Sequence, residues 1–357
     1  MSEHIRADFS GQRIYVGIDV HVKNWAVCIL TASSEHKAFV QDPRAADLAR
    51  YLRRNFPGAE YLCVYEAGYC GFWPQRAMAA EGLNCIVVHP ADVPTTNKQR
   101  RRRRDRRDAR KLACTLRSGD LTALYVPDKV AEQDRALLRT RHQLVKKQTA
   151  CKNQITGQLR FYGFEVPEEL ERSRWSGQFL AYLEQLPFSE HSGRRAMALL
   201  LIELRQLRAL LAEVLRDVRV LAQEDRYREN IALLRSVPGI SLLSGMIFLT
   251  EVMDLRRFPT LDHLCSYVGL VPDEDSSGES VRVTGITRRR NPFLRHILIE
   301  CTWTAMRQDP ALLHKFEELW SPSDKKSKVV VAIARKLLNR MRHVLQEREP
   351  YQLGLIK

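Results

Sequence analysis

Residues 13–30 read RIYVGIDVHVKNWAVCIL and decide the fold of the first part of the chain. This stretch contains two runs rich in Val and Ile, residues 13–20 and 24–30, with a short polar turn between them. Runs of this kind predict two antiparallel strands. We expect a third, shorter strand near residues 37–40.

Helix and strand patterns alternate after these strands. Residues 42–55 have helical spacing, 61–65 (YLCVY) have the pattern of a buried strand, 74–81 that of a helix and 84–88 that of another strand. Antiparallel strands followed by alternating helices and strands are the element order of an RNase H-like fold. We therefore predict an α/β, RNase H-like domain over residues 1–127.

Two acidic residues end strands of this predicted sheet. Asp19 lies at the end of the first strand, and Glu66 directly follows YLCVY in the segment YEAGYCG. In an RNase H-like sheet these two strand ends lie side by side. Because a carboxylate beside apolar residues is costly to bury without a partner such as a metal ion, this edge is a candidate metal site.

The most basic stretch of the chain contains two more acids. Residues 98–111 read KQRRRRRDRRDARK, in which ten of fourteen residues are basic and Asp105 and Asp108 are the only acids. A spacing of three puts both carboxylates on one helix face, where they would complete a four-carboxylate cage for two divalent cations. The arginines expected to hold nucleic acid are Arg100, Arg101, Arg102, Arg103, Arg104, Arg106, Arg107 and Arg110.

Each of these features also has a simpler interpretation. A lone Asp after a strand is usually a turn or cap residue, and acids at a helix start are favoured by the helix dipole. An arginine run is usually a solvated arm. The occurrence of all four acids in this element order favours the catalytic interpretation.

Whole-chain composition agrees with a nucleic-acid partner. The 357 residues have a formal net charge of +15 and a sequence pI of about 9.6, which favours binding to polyanions. No run reaches the roughly 18 apolar residues of a membrane-spanning helix, so no membrane association is expected. The eight cysteines form no CxxC pair, which predicts neither a zinc site nor disulfides and favours a cytoplasmic location.

Two further regions are predicted after the first domain. Residues 128–226 are expected to form a long helical coiled-coil segment, since 130–162 and 193–221 are helix-favouring and have apolar residues at heptad-like spacing. The apolar stripe of the second segment is formed by Leu200, Leu204, Leu207, Leu211 and Leu215, which serve either core packing or subunit assembly. Residues 227–357 are expected to form a mostly α-helical third domain.

The third region contains two notable segments. Residues 233–252, LLRSVPGISLLSGMIFLTEV, predict either a helix-hairpin-helix-like element that offers backbone N–H groups to a phosphate or a simple packed helical hairpin. Residues 269–298 predict a long loop, in which Ser276 and Ser277 precede Gly278, and then a helix from near Pro292. No base stands beside these serines, so the residues alone nominate no nucleophile. The arginines able to neutralise a phosphate here are Arg282, Arg288, Arg289, Arg290 and Arg295.

Six sequence words together resemble the DEDD transposases of bacterial insertion sequences, the IS110 family and its relatives around IS1111. The words are YVGIDVHVKNW, YEAGYCG, DRRDARKLA, VPGIS, YVGLVPDEDSSG and GITRRRNPFLR. The similarity extends from about Tyr15 to Leu345. It implies a RuvC-like N-terminal domain, a helical coiled-coil segment and a C-terminal transposase domain that carries a catalytic serine.

The resemblance also implies roles for individual residues and partners. The family's DEDD acids fall on Asp19, Glu66, Asp105 and Asp108 and would bind Mg²⁺, for which Mn²⁺ can substitute. Its catalytic serine falls on Ser277, with Ser276 as the adjacent alternative. The implied activity is recombination of donor and target DNA through a covalent serine–DNA link, guided by a structured noncoding RNA. The implied assembly is a homodimer that pairs into a homotetramer, in the bacterial cytoplasm at the nucleoid.

The chain departs from the family pattern at two positions. Arg104 stands where threonine is common, beside the predicted metal ligand Asp105, and Ser241 stands where glycine is frequent. Neither change removes a predicted catalytic group. Arg104 bears on the charge of the predicted metal site.

Three other functions remain compatible with parts of the sequence. A RuvC-like structure-specific endonuclease would hydrolyse DNA with metal-activated water and would not need Ser277. An actin-like sugar kinase or ATPase would need glycine-rich phosphate loops, and no such pair is apparent. A non-catalytic DNA- or RNA-binding protein would make the four acids coincidental.

Overall fold

Strand β1 (Arg13–Val20) lies at the centre of the sheet of the first structural unit, Met1–Val126. It pairs antiparallel with β2 (Trp25–Leu30) and parallel with β4 (Glu60–Glu66). The edge strands are β3 (Glu35–Gln41), which pairs antiparallel with β2, and β5 (Asn84–Val88), which pairs parallel with β4. Among the described residues the strand order is therefore β3-β2-β1-β4-β5.

The structure is a computed structural model that describes residues 8–93, 105–277, 280–286, 291–321 and 326–353. For Asp105 and for the strand residues 272–277 and 280–286 it describes the backbone alone. The predicted nucleic-acid ligands Arg100, Arg101, Arg102, Arg103, Arg104, Arg288, Arg289 and Arg290 lie outside the described residues.

Side chains along β1 alternate between the two faces of the sheet. Ile14, Val16 and Ile18 are fully buried and pack with helices α1 (Ala45–Asn55) and α2 (Trp73–Ala80). Each such side chain contributes roughly 1.5–3 kcal/mol when it is removed from water. The opposite face is covered by helix α3 (Asp105–Ser118) through buried Ala109 and Ala113. A mixed sheet with helices on both faces is compatible with the predicted RNase H-like domain.

The second unit, Pro127–Lys357, begins with two long helices. Helix α4 (Lys129–Phe161) starts at the N-cap Asp128, whose carboxylate accepts a hydrogen bond from the Ala131 N–H. Two short helices, α5 (Glu168–Arg172) and α6 (Gly177–Glu184), separate α4 from α7 (His191–Leu221). The long helices pack antiparallel, since the end of α4 contacts the start of α7 in one buried cluster. The two long helices predicted near residues 130–162 and 193–221 are therefore present.

The remaining helices pack around one C-terminal core. They are α8 (Asp225–Ser236), α9 (Leu242–Val252), α10 (Leu261–Val268), α11 (Pro292–Gln308), α12 (Pro310–Leu319) and α13 (Lys326–Glu347). The same core includes Leu138 of α4 and Val214 and Val218 of α7. The predicted helical segment and the predicted third domain therefore share one structural unit. No helix in the described part of the chain is long and apolar enough to span a membrane.

The segment predicted as a long loop contains a β-hairpin instead. Strand β6 (Pro272–Ser277) pairs antiparallel with β7 (Ser280–Ile286). The Ser, Gly and Asp content of this segment led to the wrong prediction. The run SVRVTGI nevertheless has the β-branched alternation of a strand, and its partner strand is the polar run PDEDSS.

Candidate active site

Asp19 and Glu66 lie at the carboxyl ends of the neighbouring parallel strands β1 and β4. These two strand ends form one end of the sheet, called here the acidic edge. The last paired residues of the parallel strands β1 and β4 are Ile18 and Tyr65, and each acid comes one residue later. Side chains two residues apart share a face, so Asp19 lies on the face of Gly17 and Glu66 on the face of Val64. The structure therefore places both predicted acids on the same face of the sheet.

Helix α3 covers this face because Gly17 lets its backbone approach β1. A Cβ atom at Gly17 would lie 2.0 Å from the carbonyl oxygen of Ala109 and 2.4 Å from the backbone nitrogen of Ala113. Any larger residue would push the helix away from the strand. On the next strand, Val64 packs against Leu112 of the same helix.

The direction of α3 brings its acids toward Asp19 and Glu66. At the helix end, Arg117 donates to the carbonyl of Thr31, which follows β2 near the start of β1. The helix therefore runs antiparallel to β1, and its first turns, with Asp105 and Asp108, lie toward the end of β1. The backbone thus gathers the positions of all four predicted acids at one edge.

His21 and Tyr69 connect the two segments that follow the acidic strand ends. The Nε2 atom of His21 lies 3.3 Å from a carboxylate oxygen of Asp19, and its Nδ1 atom lies 3.0 Å from the Tyr69 hydroxyl. In the segment after Glu66, the Tyr65 hydroxyl donates to the Gly71 carbonyl at 2.9 Å. No local sequence pattern predicts a role for His21 or Tyr69, although they lie in the segments YVGIDVHVKNW and YEAGYCG.

The donor chemistry of this edge fits a hard divalent cation. Carboxylate oxygens are the protein ligands that Mg²⁺ prefers. The structure does not describe the side chain of Asp105. Among the side chains that it does describe, no three His, Cys, Asp or Glu residues are close enough together to hold a metal ion. Asp19, Glu66 and Asp108 lie toward the same end of the sheet and have carboxylate oxygens, but their described side chains do not converge on one point.

The interface beneath α3 is buried and apolar, and its basic residues lie at the rim. Burial raises the pKa of the Cys28 thiol to about 12, with a smaller contribution from the nearby Glu35 carboxylate. Arg110 forms an ion pair with Glu35 at 2.8 Å. Arg106 and Arg107 are exposed and available to a polyanion.

Gly17→Ala is expected to destabilise the first unit by about 3 kcal/mol or more and to lower activity. The added methyl group would overlap the α3 backbone, and overpacking that forces backbone shifts costs roughly 1–3 kcal/mol and occasionally more. Urea unfolding and a recombination assay measure the two effects.

Gly68→Ala is the matched control for this substitution. A Cβ at Gly68 would meet no atom within 4 Å. We expect its unfolding free energy to stay within about 0.5 kcal/mol of the parent. Equal stability of the Gly17→Ala and Gly68→Ala variants would contradict direct seating of α3 on β1.

The predicted nucleophile Ser277 lies at the end of β6, in the second unit. It pairs with Ser280 of β7, and Ser276 pairs with Val281. Arg282 lies on β7 opposite Asp275. Gly278 lies outside the described residues. Ser277 is thus the last residue of its strand, at the tip of the hairpin.

Buried Glu251 fixes both ends of the segment that carries this hairpin. Its carboxylate accepts two hydrogen bonds from Arg139, at 2.7 and 2.8 Å, and one from the Asn291 amide at 2.7 Å. The Tyr267 hydroxyl donates to the Glu251 carbonyl at 2.8 Å, and the Asn291 N–H donates to the Tyr267 carbonyl at 2.9 Å. Sequence analysis missed this network because its members are far apart along the chain.

Glu251→Gln is expected to destabilise the second unit by about 1–3 kcal/mol, because it removes the charge that compensates Arg139. The lower part of this range applies because the Arg139 side chain is 52% exposed, so water can solvate it. Denaturant unfolding measures the change. The control is Glu168→Gln, which breaks an ion pair whose side chains are about 80% exposed and should change stability by less than about 0.5 kcal/mol. Equal effects would contradict the anchoring role.

The VPGIS turn is packed inside the second unit. Its Gly239 N–H donates to the Gln308 side chain at 2.9 Å, and a Cβ at Gly239 would lie 2.5 Å from the Cys301 carbonyl oxygen. Ser241 caps α9 in a reciprocal capping box with Ser244. These contacts favour the packed helical hairpin, since the Gly239 N–H is already used within the protein.

Comparisons with known proteins agree on a group of insertion-sequence enzymes. A family model of the DEDD type named for IS110, described as Transposase, matches residues 16–164. A second, described as Transposase IS116/IS110/IS902 family, matches residues 231–317. The first match spans β1, β4 and α3 with all four acids, and the second spans the β6–β7 hairpin with Ser277.

Three relatives illustrate the similarity. The y4qE protein of Sinorhizobium fredii, which is named as a transposase, is 30% identical over 88% of this chain and 78% of its own length. The transposase for insertion sequence element IS1111A of Coxiella burnetii is 27% identical over 82% of this chain and 79% of its own length. The transposase for insertion sequence element IS1533 of Leptospira borgpetersenii is 24% identical over 97% of this chain and 99% of its own length.

Proposed function

The chain belongs to the IS116/IS110/IS902 family of insertion-sequence transposases, and from this premise we propose that it recombines donor and target DNA through a covalent serine–DNA intermediate. Ser277 is the proposed nucleophile, and Asp19, Glu66, Asp105 and Asp108 are the proposed metal ligands. The observation that carries the proposal is the gathering of all four acid positions at one sheet edge, on the face that α3 covers.

In this proposal the four acids bind the divalent cations and set their position. A bound Mg²⁺, or Mn²⁺ in its place, would supply Lewis-acid stabilisation of charge on a phosphodiester. Asp19 and Glu66 stand on rigid strands, so their positions are set by the sheet register. Asp105 and Asp108 stand on a helix held against Gly17, which sets their distance from the strands.

Ser277 supplies the covalent step. Its hydroxyl oxygen forms a bond to a backbone phosphorus while one phosphorus–oxygen bond of the DNA breaks, and the leaving oxygen takes up a proton as a strand-end hydroxyl. In the joining step, a hydroxyl of the other DNA partner attacks the same phosphorus, and the serine oxygen leaves. The number of phosphodiester bonds is thereby conserved. Arg282, Arg288, Arg289 and Arg290 are proposed to neutralise the phosphate.

The proposed partners follow from charge and family resemblance. The net charge of +15 supports binding of donor DNA, target DNA and a structured noncoding guide RNA. Homodimers pairing into a homotetramer would combine the acids of one subunit with Ser277 of another. The proposed location is the bacterial cytoplasm at the nucleoid.

The proposal is tested by purifying the full chain from cells that carry its complete element, sequencing the co-purified RNA and measuring recombination. We expect an element-encoded RNA, recombination by the parent, and none by Asp19→Ala or Ser277→Ala. Absence of any co-purified RNA together with normal recombination by Ser277→Ala would contradict the proposal. Cleavage without joining by Ser277→Ala would indicate a metal-dependent endonuclease instead.

A further inference from the structure

One face of helix α4 carries polar residues over most of its length. Successive residues on this face are three or four positions apart, the spacing that keeps them in line on a helix. They are His142, Lys146, Thr149, Asn153, Thr156 and Arg160, named here the α4 track. A rise of about 1.5 Å per residue gives the track a length of roughly 27 Å.

A cavity of about 760 Å³ lies at the first half of the track, between α4 and the start of α11. Its walls include Arg141, His142, Lys146 and His296. The His142 ring stacks on Phe293 with ring centroids 4.2 Å apart. This cavity therefore combines positive charge with an aromatic surface.

A second cavity, of about 420 Å³, continues along the other half and shares Thr149 with the first. Lys152, Arg160 and Trp175 line it, and the Lys152 ammonium lies 5.2 Å from the Trp175 ring centroid. Trp175 has a φ of 71°, which is unfavourable for a non-glycine residue, and Arg208 donates to its carbonyl at 2.5 Å. The structure thus holds this indole beside the track in a strained conformation, as binding sites often do.

We propose that the α4 track binds a single-stranded polynucleotide segment, with phosphates along the basic residues and unpaired bases against the aromatic rings at each end. Rows of cations with aromatic platforms are the general means of binding single strands, and each stacked base strengthens binding. A track of roughly 27 Å suits the lower part of the range of about 4–16 nucleotides that such sites cover. The proposal rests on the proposed function only in taking nucleic acid as the partner.

The charges of the track favour a polyanion over a protein helix. Arg141 and Lys146 line the first cavity, and Arg160 lines the second, so both cavities carry positive charge. Burial lowers the pKa of His142, and the nearby charges of Lys146, His296 and Arg141 lower it further. Phosphate oxygens can pair with the exposed Lys146 and Arg160 side chains, whereas an apolar helix would leave these two charges unpaired.

The test is binding of fluorescein-labelled 12-nucleotide oligo-U RNA and oligo-dT DNA to the full chain, measured by anisotropy in EDTA over a salt series. We expect Lys146→Gln/Arg160→Gln to weaken binding about a hundredfold, because each of the two charged contacts to a phosphate is worth roughly tenfold. The log–log salt slope should fall by about 1.4, that is, two contacts at about 0.7 each for single strands. The strand type that shows this loss identifies the segment as RNA or DNA.

The matched control is Lys129→Gln/Lys147→Gln, which makes the same charge change on exposed residues of α4 outside the track. It should alter affinity less than about twofold, and circular dichroism should show both double variants folded. Equal losses in the two variants, or an unchanged salt slope in the track variant, would overturn the proposal. A track variant that changes the sedimentation coefficient without losing oligonucleotide binding would also overturn it, in favour of an assembly surface. Because binding is measured without metal or recombination, these outcomes are independent of Asp19 and Ser277.

Discussion

Recombination by Ser277→Ala is expected to fall by about 10³-fold or more. Removal of a nucleophile that forms a covalent intermediate abolishes the normal pathway and leaves only slow background chemistry. The Ser277 backbone ends a paired strand, and the substitution removes only the hydroxyl oxygen. Recombination frequency between donor and target plasmids, in cells that also express the element's RNA, measures the effect.

Ser276→Ala is the matched control for the nucleophile. Ser276 and Ser277 are adjacent residues of β6, so the two variants separate the two candidate positions of the nucleophile. We expect Ser276→Ala to recombine within a few-fold of the parent. Loss of activity in Ser276→Ala with retention in Ser277→Ala would reassign the nucleophile by one residue. Retention in both would exclude a serine of this pair.

Asp19→Asn is expected to reduce recombination by roughly 10²–10⁴-fold. Asparagine keeps the size of the side chain but removes the negative charge that holds a divalent cation, and metal stabilisation of phosphoryl charge is worth several kcal/mol. Asp108→Asn should have an effect of the same order, since both acids are proposed to bind the same cations. Titration of recombination with Mg²⁺ measures the change in each variant.

Asp47→Asn is the control for these charge changes. Asp47 lies on α1, which packs on the face of the sheet opposite to α3, and it pairs with Arg50, three residues away on the helix surface. Its replacement should leave recombination and Mg²⁺ dependence unchanged. Parent-like recombination by both Asp19→Asn and Asp108→Asn would identify the acids as cap and turn residues and would favour a non-catalytic binding protein.

The sheet could be predicted from sequence because its signals are local. The predicted boundaries of β1 and β5 match the observed ones, and those of β4 differ by one residue at each end. Strand alternation and turn residues act over a few positions, so one sequence suffices to place them. The adjacency of Asp19 and Glu66 followed from the element order, and the register of β1 and β4 agrees with it.

The parts that sequence analysis missed depend on contacts between distant residues. Gly17 looked like an ordinary strand residue, and its role emerges only from the α3 backbone lying against it. His21 and Tyr69 are 48 residues apart, and Arg139 and Glu251 are 112 apart, so no local pattern pairs them. The β6–β7 hairpin was missed because its turn-forming composition concealed the alternation in β7.

The central claim is that Ser277 becomes covalently attached to DNA, and trapping that attachment tests it most directly. The full chain with its co-purified RNA is incubated with donor and target DNA and Mg²⁺, quenched in denaturant and digested for mass spectrometry. The account predicts a nucleotide-bearing peptide with the modification on Ser277, which is absent from the Ser277→Ala variant. Cut DNA with no protein attached, or attachment at a different residue, would contradict it.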